Sequence, residues 1–177
     1  MGKIRKYSLF LSVTGILLFA FTLAHGQPVK TYTNKQLNYS INYPSGYTVK
    51  TLDEIVIFVS PEKDKKFGFP VNINVVTRVT DYVPKNMQDF FETGKSRISD
   101  FYGNAIFLEE GKDKLSGKEA YRLIFTTKQK DANFKIMEVM LIDKKRTYVI
   151  TYTALLEQFD RYLRQAKSII YSFKVSQ

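Results

Sequence analysis

The sequence predicts an α+β fold in which helices pack on an antiparallel β-sheet. Several segments alternate apolar and polar residues with the period of two that a half-buried strand shows. Two further segments carry an apolar stripe at helical spacing. Short connections join the later strand segments and require antiparallel neighbours, and the order of strands, helix, strands, helix argues against a doubly wound parallel sheet.

The segment from residue 39 to residue 79 is predicted to consist of strands. Residues 39–43 alternate Tyr, Ile and Tyr with polar residues, and the Pro-Ser-Gly sequence at 44–46 turns the chain. Residues 55–59 are nearly all apolar, as in a strand that is covered on both faces. A charged loop over 61–68 then leads to Pro70–Val79, where apolar and polar residues alternate again.

The two helical stripes lie in the middle and at the end of the chain. The first consists of Met87, Phe90, Phe91, Gly94, Ile98 and Phe101, and the second of Leu156, Phe159, Leu163, Ala166, Ile169 and Ile170. Between them, residues 105–110, 119–127, 134–142 and 148–152 are predicted strands, with a hairpin turn at 143–146. Both helices are expected to pack on the sheet.

The N-terminal segment has the three parts of a signal peptide. Basic residues lie at positions 3, 5 and 6, an apolar run covers 9–23, and Ala24-His25-Gly26 supplies small residues where a signal peptidase reads them. We therefore expect a signal peptide over residues 1–26, export to the periplasm or the extracellular space, and a single domain over 27–177. An uncleaved anchor is the alternative, because the apolar run over 8–24 reaches the lower end of the ~17 to 25 residues that span a bilayer.

The composition of the mature chain excludes several kinds of chemistry. The one histidine, His25, lies in the signal peptide, and the chain has no cysteine. Zinc, copper and haem sites depend on imidazole or thiolate ligands, and most acyl-transfer triads need an imidazole base. We therefore expect no enzyme activity of these kinds, and no cofactor.

The charge of the mature chain favours an anionic partner. The signal peptide holds three of the 27 basic residues and none of the 17 acidic ones, which leaves a net charge of +7. Lipid headgroups, acidic glycans and an acidic protein face are the partners that such a charge favours, and nucleic acid is not expected outside the cell. A lysine-rich surface that only maintains solubility is the alternative. After residue 26, no apolar stretch is long enough to cross a membrane.

Two basic clusters are candidates for a docking surface. They are Lys63, Lys65 and Lys66 in one loop, and Lys144, Lys145 and Arg146 in a hairpin turn. Together they would form an anion-binding surface if the fold brings them side by side. The alternative is that they are solvated turn residues, because lysines are commonly placed in turns.

Among the acidic residues, Glu138 is the most suggestive, because it interrupts the apolar face of the strand over 134–142. It is either a buried acid or a residue that meets water beyond the edge of a covering helix. Glu109, Glu110, Asp131 and Asp143 lie in or beside turns. A pair of them could hydrolyse glycosides if held ~5 to 9.5 Å apart across a cleft, but nothing in their spacing indicates such a pair.

Several segments, in this order and spacing, resemble the PsbP-like family of α/β/α sandwiches, which includes Ran-binding relatives and bacterial exported proteins. They are Tyr-Ser-Ile-Asn-Tyr-Pro-Ser-Gly-Tyr at 39–47, Val-Ile-Phe-Val-Ser-Pro at 56–61, Leu-Ser-Gly-Lys-Glu-Ala at 115–120, Tyr-Val-Ile-Thr-Tyr-Thr-Ala at 148–154, and Ser-Phe at 172–173. The resemblance covers nearly the whole mature chain. It departs at Tyr47, where the family often has Trp.

The resemblance implies a non-catalytic role, because members of the family mostly act as extrinsic subunits, assembly factors or adaptors. We expect an exported binding or assembly accessory of the cell envelope, whose partner is an envelope protein or an anionic surface. The alternative is a carrier that holds an apolar or amphiphilic, lipid-like ligand in a groove between helix and sheet. The 12 Tyr and 14 Phe of the chain would either line such a groove or fill the core.

Overall fold

The computed structural model of the chain describes residues 28–79, 84 and 86–176, so the predicted signal peptide lies outside the described residues. The described part contains two helices and ten strands, and both predicted helices are present. The elements are β1 (Val29–Asn34), β2 (Tyr39–Pro44), β3 (Thr48–Leu52), β4 (Ile55–Lys63), β5 (Pro70–Val79), α1 (Met87–Tyr102), β6 (Ile106–Leu115), β7 (Lys118–Gln129), β8 (Ala132–Asp143), β9 (Arg146–Leu155), α2 (Phe159–Tyr171) and β10 (Lys174–Val175).

The strands form two sheets. A seven-stranded sheet has the order β3-β4-β5-β9-β8-β7-β6, and a three-stranded sheet has the order β1-β2-β10. Every pairing in both sheets is antiparallel. The predicted α+β class with helices on an antiparallel sheet is therefore confirmed.

The larger core lies between one face of the seven-stranded sheet, α2 and the small sheet. Aromatic rings occupy much of it: the Tyr39 ring stacks on Phe173 with centroids 5.3 Å apart, and Phe173 meets the edge of Tyr148 at 5.2 Å. Tyr152 and Phe159 pack together at 4.8 Å. All five rings are fully buried, so much of the aromatic content fills the core.

The smaller core lies under α1, on the opposite face of the sheet. Phe91 and Ile98 of α1 pack there with Leu123, Phe125, Ile136, Met140 and Tyr121 of β7 and β8. The helix starts at Asn86, whose side-chain oxygen accepts a hydrogen bond from the Asp89 N–H at 2.8 Å. It ends at Gly103, whose φ of 66° is the left-handed conformation that glycine adopts without a steric penalty.

The position of α1 leaves part of the sheet without a covering helix. On the α1 side of β4, Ile55, Ile57 and Val59 are half-buried, whereas Val56 and Phe58 on the other side are fully buried. The expectation that residues 55–59 are covered on both faces is therefore wrong. No element in the described part packs over this side of the strand, because α1 is displaced toward β7 and β8.

Three strands were not predicted, and one helix boundary differs. β1, β3 and β10 are short and largely exposed, so they show little of the alternation that a buried face imposes. α2 begins at Phe159 instead of Leu156, because the chain turns after β9, where the Gln158 N–H donates to the Leu155 carbonyl at 2.9 Å. Leu156 remains 44% exposed.

Candidate functional site

A groove of about 530 Å³ opens between α1 and the uncovered part of the sheet. One wall is the side of α1, and the floor is formed by β5, β9 and β8. Its lining consists of Asn74, Val76, Arg78, Phe90, Gly94, Arg97, Ile98, Phe101, Tyr102, Glu138, Met140, Thr147, Val149, Thr151 and Thr153. The volume falls within the ~300 to 1,000 Å³ of small-molecule sites in proteins.

The floor of the groove is divided into an apolar row and a polar row. The register places Val76, Val149 and Met140 opposite one another on three adjacent strands. Two residues further along the strands, the same register aligns Asn74, Thr151 and Glu138. Because residues two apart on a strand share a face, both rows point into the groove.

Glu138 is the acid of the polar row. Burial raises the pKa of its carboxyl group to about 7, and a hydrogen bond from the Thr151 hydroxyl at 3.3 Å opposes this by favouring the charged form. The side chain as a whole is half-buried, since the groove is open to solvent. Burial also raises the pKa of Tyr102, with a smaller contribution from the charge of Glu138. Glu138 is therefore a half-buried acid on the floor of an open groove beside α1, between the two alternatives that the sequence left open.

Two arginines supply the positive charge of the groove. Arg78 extends from β5 and Arg97 from α1, and both are exposed. Among the described residues, neither guanidinium group lies within ion-pair distance of a carboxylate. The sequence placed Arg78 on the polar face of its strand but did not indicate a site. Arg97 gave no signal, because an arginine beside an apolar helical stripe is ordinary.

Two exposed apolar side chains lie on or beside the groove. Phe101, at the end of α1, is 80% exposed, and its ring meets the edge of Tyr102 at 4.8 Å. Beyond Arg78 and Val76 the open face continues into a depression that includes Leu52, which is 64% exposed, and the acidic residues Asp53 and Glu54. At Gly94, α1 comes so close to β8 that an added Cβ would lie 3.0 Å from Sδ and Cε of Met140.

The two predicted basic clusters are not brought together. In the sheet register, Lys63 lies opposite Pro70 at the start of β5, and Lys65 and Lys66 are in the loop after β4. Arg146 lies opposite Val79 at the other end of β5, and Lys144 and Lys145 precede it in the turn. β5 is ten residues long, so its two ends lie roughly 30 Å apart. The clusters therefore do not form one joint surface, and anion docking at either one stays a prediction.

The other carboxylates do not converge. Glu109 and Glu110 are adjacent on β6 and so point to opposite faces of the sheet, where they pair with Arg122 at 2.9 Å and Lys95 at 2.5 Å. Asp131 lies in the β7–β8 turn, and Asp143 pairs with Lys118 at 3.0 Å at the other end of β8. In the described ranges, no group of three or more acidic, histidine or cysteine residues could hold a metal ion.

A second depression of about 800 Å³ lies between α2 and the end of β4. Its lining includes two carboxylates and two guanidinium groups, those of Glu62, Asp160, Arg161 and Arg164. The Tyr162 hydroxyl donates a hydrogen bond to Glu62, which also lies 3.8 Å from Arg161. These charges are largely balanced, in contrast to the arginines of the α1 groove.

Over the described residues, neither helix has the length and apolar character needed to cross a membrane.

Comparisons with known proteins find similar structures. No family model and no curated protein sequence matches the chain. The cyanobacterial PsbP of Synechocystis is similar in structure, with a TM-score of 0.66 and 14% identity over 89% of this chain and 98% of that one. The Ran-binding protein Mog1p of Saccharomyces cerevisiae has a TM-score of 0.59 and 10% identity over 85% and 96%.

LpqN of Mycobacterium tuberculosis, described as involved in cell envelope biogenesis, has a TM-score of 0.54 and 12% identity over 86% of this chain and 88% of its own. At identities this low the likeness shows the fold alone. It agrees with the resemblance found in the sequence: the chain has the fold that PsbP and Mog1 share.

Proposed function

We propose that the chain is a non-catalytic, exported accessory protein of the cell envelope that carries an apolar or amphiphilic ligand in the α1 groove. The observation that carries the proposal is the groove itself, about 530 Å³ in volume and open between α1 and the sheet. A groove of this volume, lined by apolar residues with a few polar groups, is typical of small-molecule sites.

The chemistry of the groove suits an amphiphile. Val76, Val149 and Met140 form a continuous apolar row on the floor, and Phe90 and Ile98 face it from α1. Burying about 100 Å² of ligand hydrocarbon against such a surface would contribute roughly 2.5 kcal/mol. The parallel polar row and the two arginines would meet a polar head group.

Two further observations support an accessory role in the envelope. The N-terminal pattern predicts export, and the similar structures include LpqN, described as involved in cell envelope biogenesis, and a Ran-binding protein.

Docking on an envelope protein is the second candidate, and a specific observation favours it. Phe101 and Leu52 are 80% and 64% exposed at either side of the open face. Large apolar side chains exposed around one concave surface are typical of protein interaction sites.

Native mass spectrometry with organic extraction distinguishes the two candidates. The protein is purified without detergent from the envelope fraction of its own source, and a stoichiometric bound lipid is the expected result. A bare mass would overturn the carrier proposal and favour docking, and crosslinking in the envelope would then identify the partner.

A matched pair of variants locates the ligand. Val76→Phe fills the groove from a half-buried position on β5, and Val29→Phe makes the same change at an exposed position on β1, outside the groove. We expect Val76→Phe to lose the extracted lipid and Val29→Phe to retain it. Equal retention by both variants would place the ligand elsewhere.

A further inference from the structure

We propose that the ligand of the α1 groove is a single-chain amphiphile with an anionic head group, which Arg78 and Arg97 bind at the rim while the hydrocarbon chain lies along the apolar row. This inference rests on the proposed carrier function and names the chemical class of its ligand.

The arginines are the first reason for the choice of an anion. Arg78 and Arg97 come from different elements, β5 and α1, and both line the same groove. Neither lies within ion-pair distance of an acidic side chain in the described part of the chain. Guanidinium groups bind carboxylates and phosphates through paired N–H donors, which an ammonium group cannot do.

The geometry of the floor is the second reason. Arg78 lies opposite Thr147 at one end of the groove, and the row of Val76, Val149 and Met140 begins two residues further along the strands. A head group at Arg78 therefore continues directly into an apolar surface. Phe90 and Ile98 of α1 cover the other side of the chain path.

Glu138 makes the charge of the groove dependent on pH. The groups that face it are Arg97 and Tyr102 from α1, Thr151 from β9, and Arg78 at the far end from β5. Protonated Glu138 leaves the two guanidinium groups of the groove uncompensated, whereas its carboxylate lowers the net positive charge of the groove by one. Since burial raises the pKa of this carboxyl group to about 7, binding of an anion should weaken as the pH rises from 6 to 8.

Three probes with the same C12 chain test the head group. Dodecanoate, dodecyltrimethylammonium and dodecyl maltoside are titrated into the mature protein by calorimetry, each below its critical micelle concentration. At pH 6.5 we expect dodecanoate to bind at least about tenfold more tightly than the cationic probe, since a tenfold ratio corresponds to only about 1.4 kcal/mol. Equal or tighter binding of the cationic or the uncharged probe would overturn the anionic head group and leave the carrier function standing. Failure of all three to bind would contradict the carrier function as well.

Variants assign the effect to the groove. Replacing both arginines, Arg78→Gln with Arg97→Gln, should weaken dodecanoate binding about tenfold and change dodecyl maltoside binding less than twofold. The matched control, Arg161→Gln with Arg164→Gln, changes the depression beside α2 and should leave both affinities unchanged. Glu138→Gln should abolish the several-fold loss of dodecanoate affinity between pH 6 and pH 8. A loss of dodecanoate affinity in the control pair alone would place the anion at α2 and contradict the assignment.

Discussion

At the scale of single residues, Glu138 is a half-buried acid on the floor of the α1 groove, and burial raises the pKa of its carboxyl group to about 7. Its carboxyl group interrupts an otherwise apolar face of β8, on which Ile136 and Met140 are its neighbours along the strand. The Thr151 hydroxyl is its hydrogen-bond donor, at a long 3.3 Å. Partial burial of a carboxylate without a paired cation in the described part of the chain carries a desolvation cost.

The raised pKa of Glu138 predicts how the stability of the protein depends on pH. The pKa rises from 4.5 to about 7 on folding, so the folded state binds the proton more tightly than the unfolded chain. The stabilisation from this group is complete below pH 4.5 and is lost as the pH rises through 7.

Urea unfolding of the wild-type protein and of Glu138→Gln at pH 5 and pH 8 measures this loss. Because the groove is partly open to solvent, we expect the variant to gain only about 1 to 2 kcal/mol relative to wild type between the two pH values. If the difference in the free energy of unfolding between Glu138→Gln and wild type is the same at pH 5 and pH 8, the carboxyl group has an ordinary pKa.

At the scale of elements, the placement of α1 determines whether a groove exists. The helix packs over β7 and β8, with Phe91 and Ile98 in the smaller core, and leaves β5 and β9 open on that side. At Gly94 a larger residue would contact the end of the Met140 side chain, which would have to move. The spacing of the apolar stripe predicted the helix and most of its inward face, but it was wrong for Phe101, which lies at the end of α1 and is 80% exposed. It did not predict over which strands the helix lies, since that depends on the shapes of both surfaces.

The N-terminus of α1 depends on its cap. Replacing Asn86 by Ala removes the acceptor of the Asp89 N–H and should lower the free energy of unfolding by about 1 kcal/mol. Asn86→Ser retains a capping oxygen and is expected to be within a few tenths of a kcal/mol of wild type. Equal stability of all three proteins in urea would show that the cap contributes nothing.

A substitution in the aromatic cluster under the small sheet should lower the free energy of unfolding more than loss of the helix cap does. Phe173 is fully buried between Tyr39 and Tyr148, so Phe173→Ala leaves a cavity and should cost about 3 to 5 kcal/mol. Leu156→Ala, at a 44% exposed position, is the control and should cost about 1 kcal/mol or less. Thermal unfolding of both variants measures the contrast, and a Phe173→Ala protein as stable as the control would mean that the cluster is not packed as described.

At the scale of the whole molecule, the sequence predicted the class of fold and most of its elements, because buried faces impose their period on the residues. β5, α1 and the β8–β9 hairpin follow this rule closely. β1, β3 and β10 were not predicted, since they are edge strands and bury few residues. The groove could not be predicted either. An uncovered part of a sheet and a filled core contain the same kinds of apolar residue, and only the three-dimensional arrangement distinguishes them.

The same limit explains the site residues. Glu138 stood out because one charged residue breaks an apolar alternation, which is a local signal. Arg78 and Arg97 lie 19 positions apart on a strand and a helix, and nothing local connects them. The basic clusters at residues 63–66 and 144–146 were more conspicuous in the sequence, yet the sheet holds them at opposite ends.

The central claim is that the α1 groove binds the ligand, and an amide chemical-shift titration of the ¹⁵N-labelled mature protein with dodecanoate tests it most directly. The account predicts saturable shifts that cluster at Gly94, Arg97 and Ile98 of α1 and at Val149 and Thr151 of β9, with little change at α2. Shifts concentrated at Arg161 and Arg164, or scattered over the surface without saturation, would contradict it.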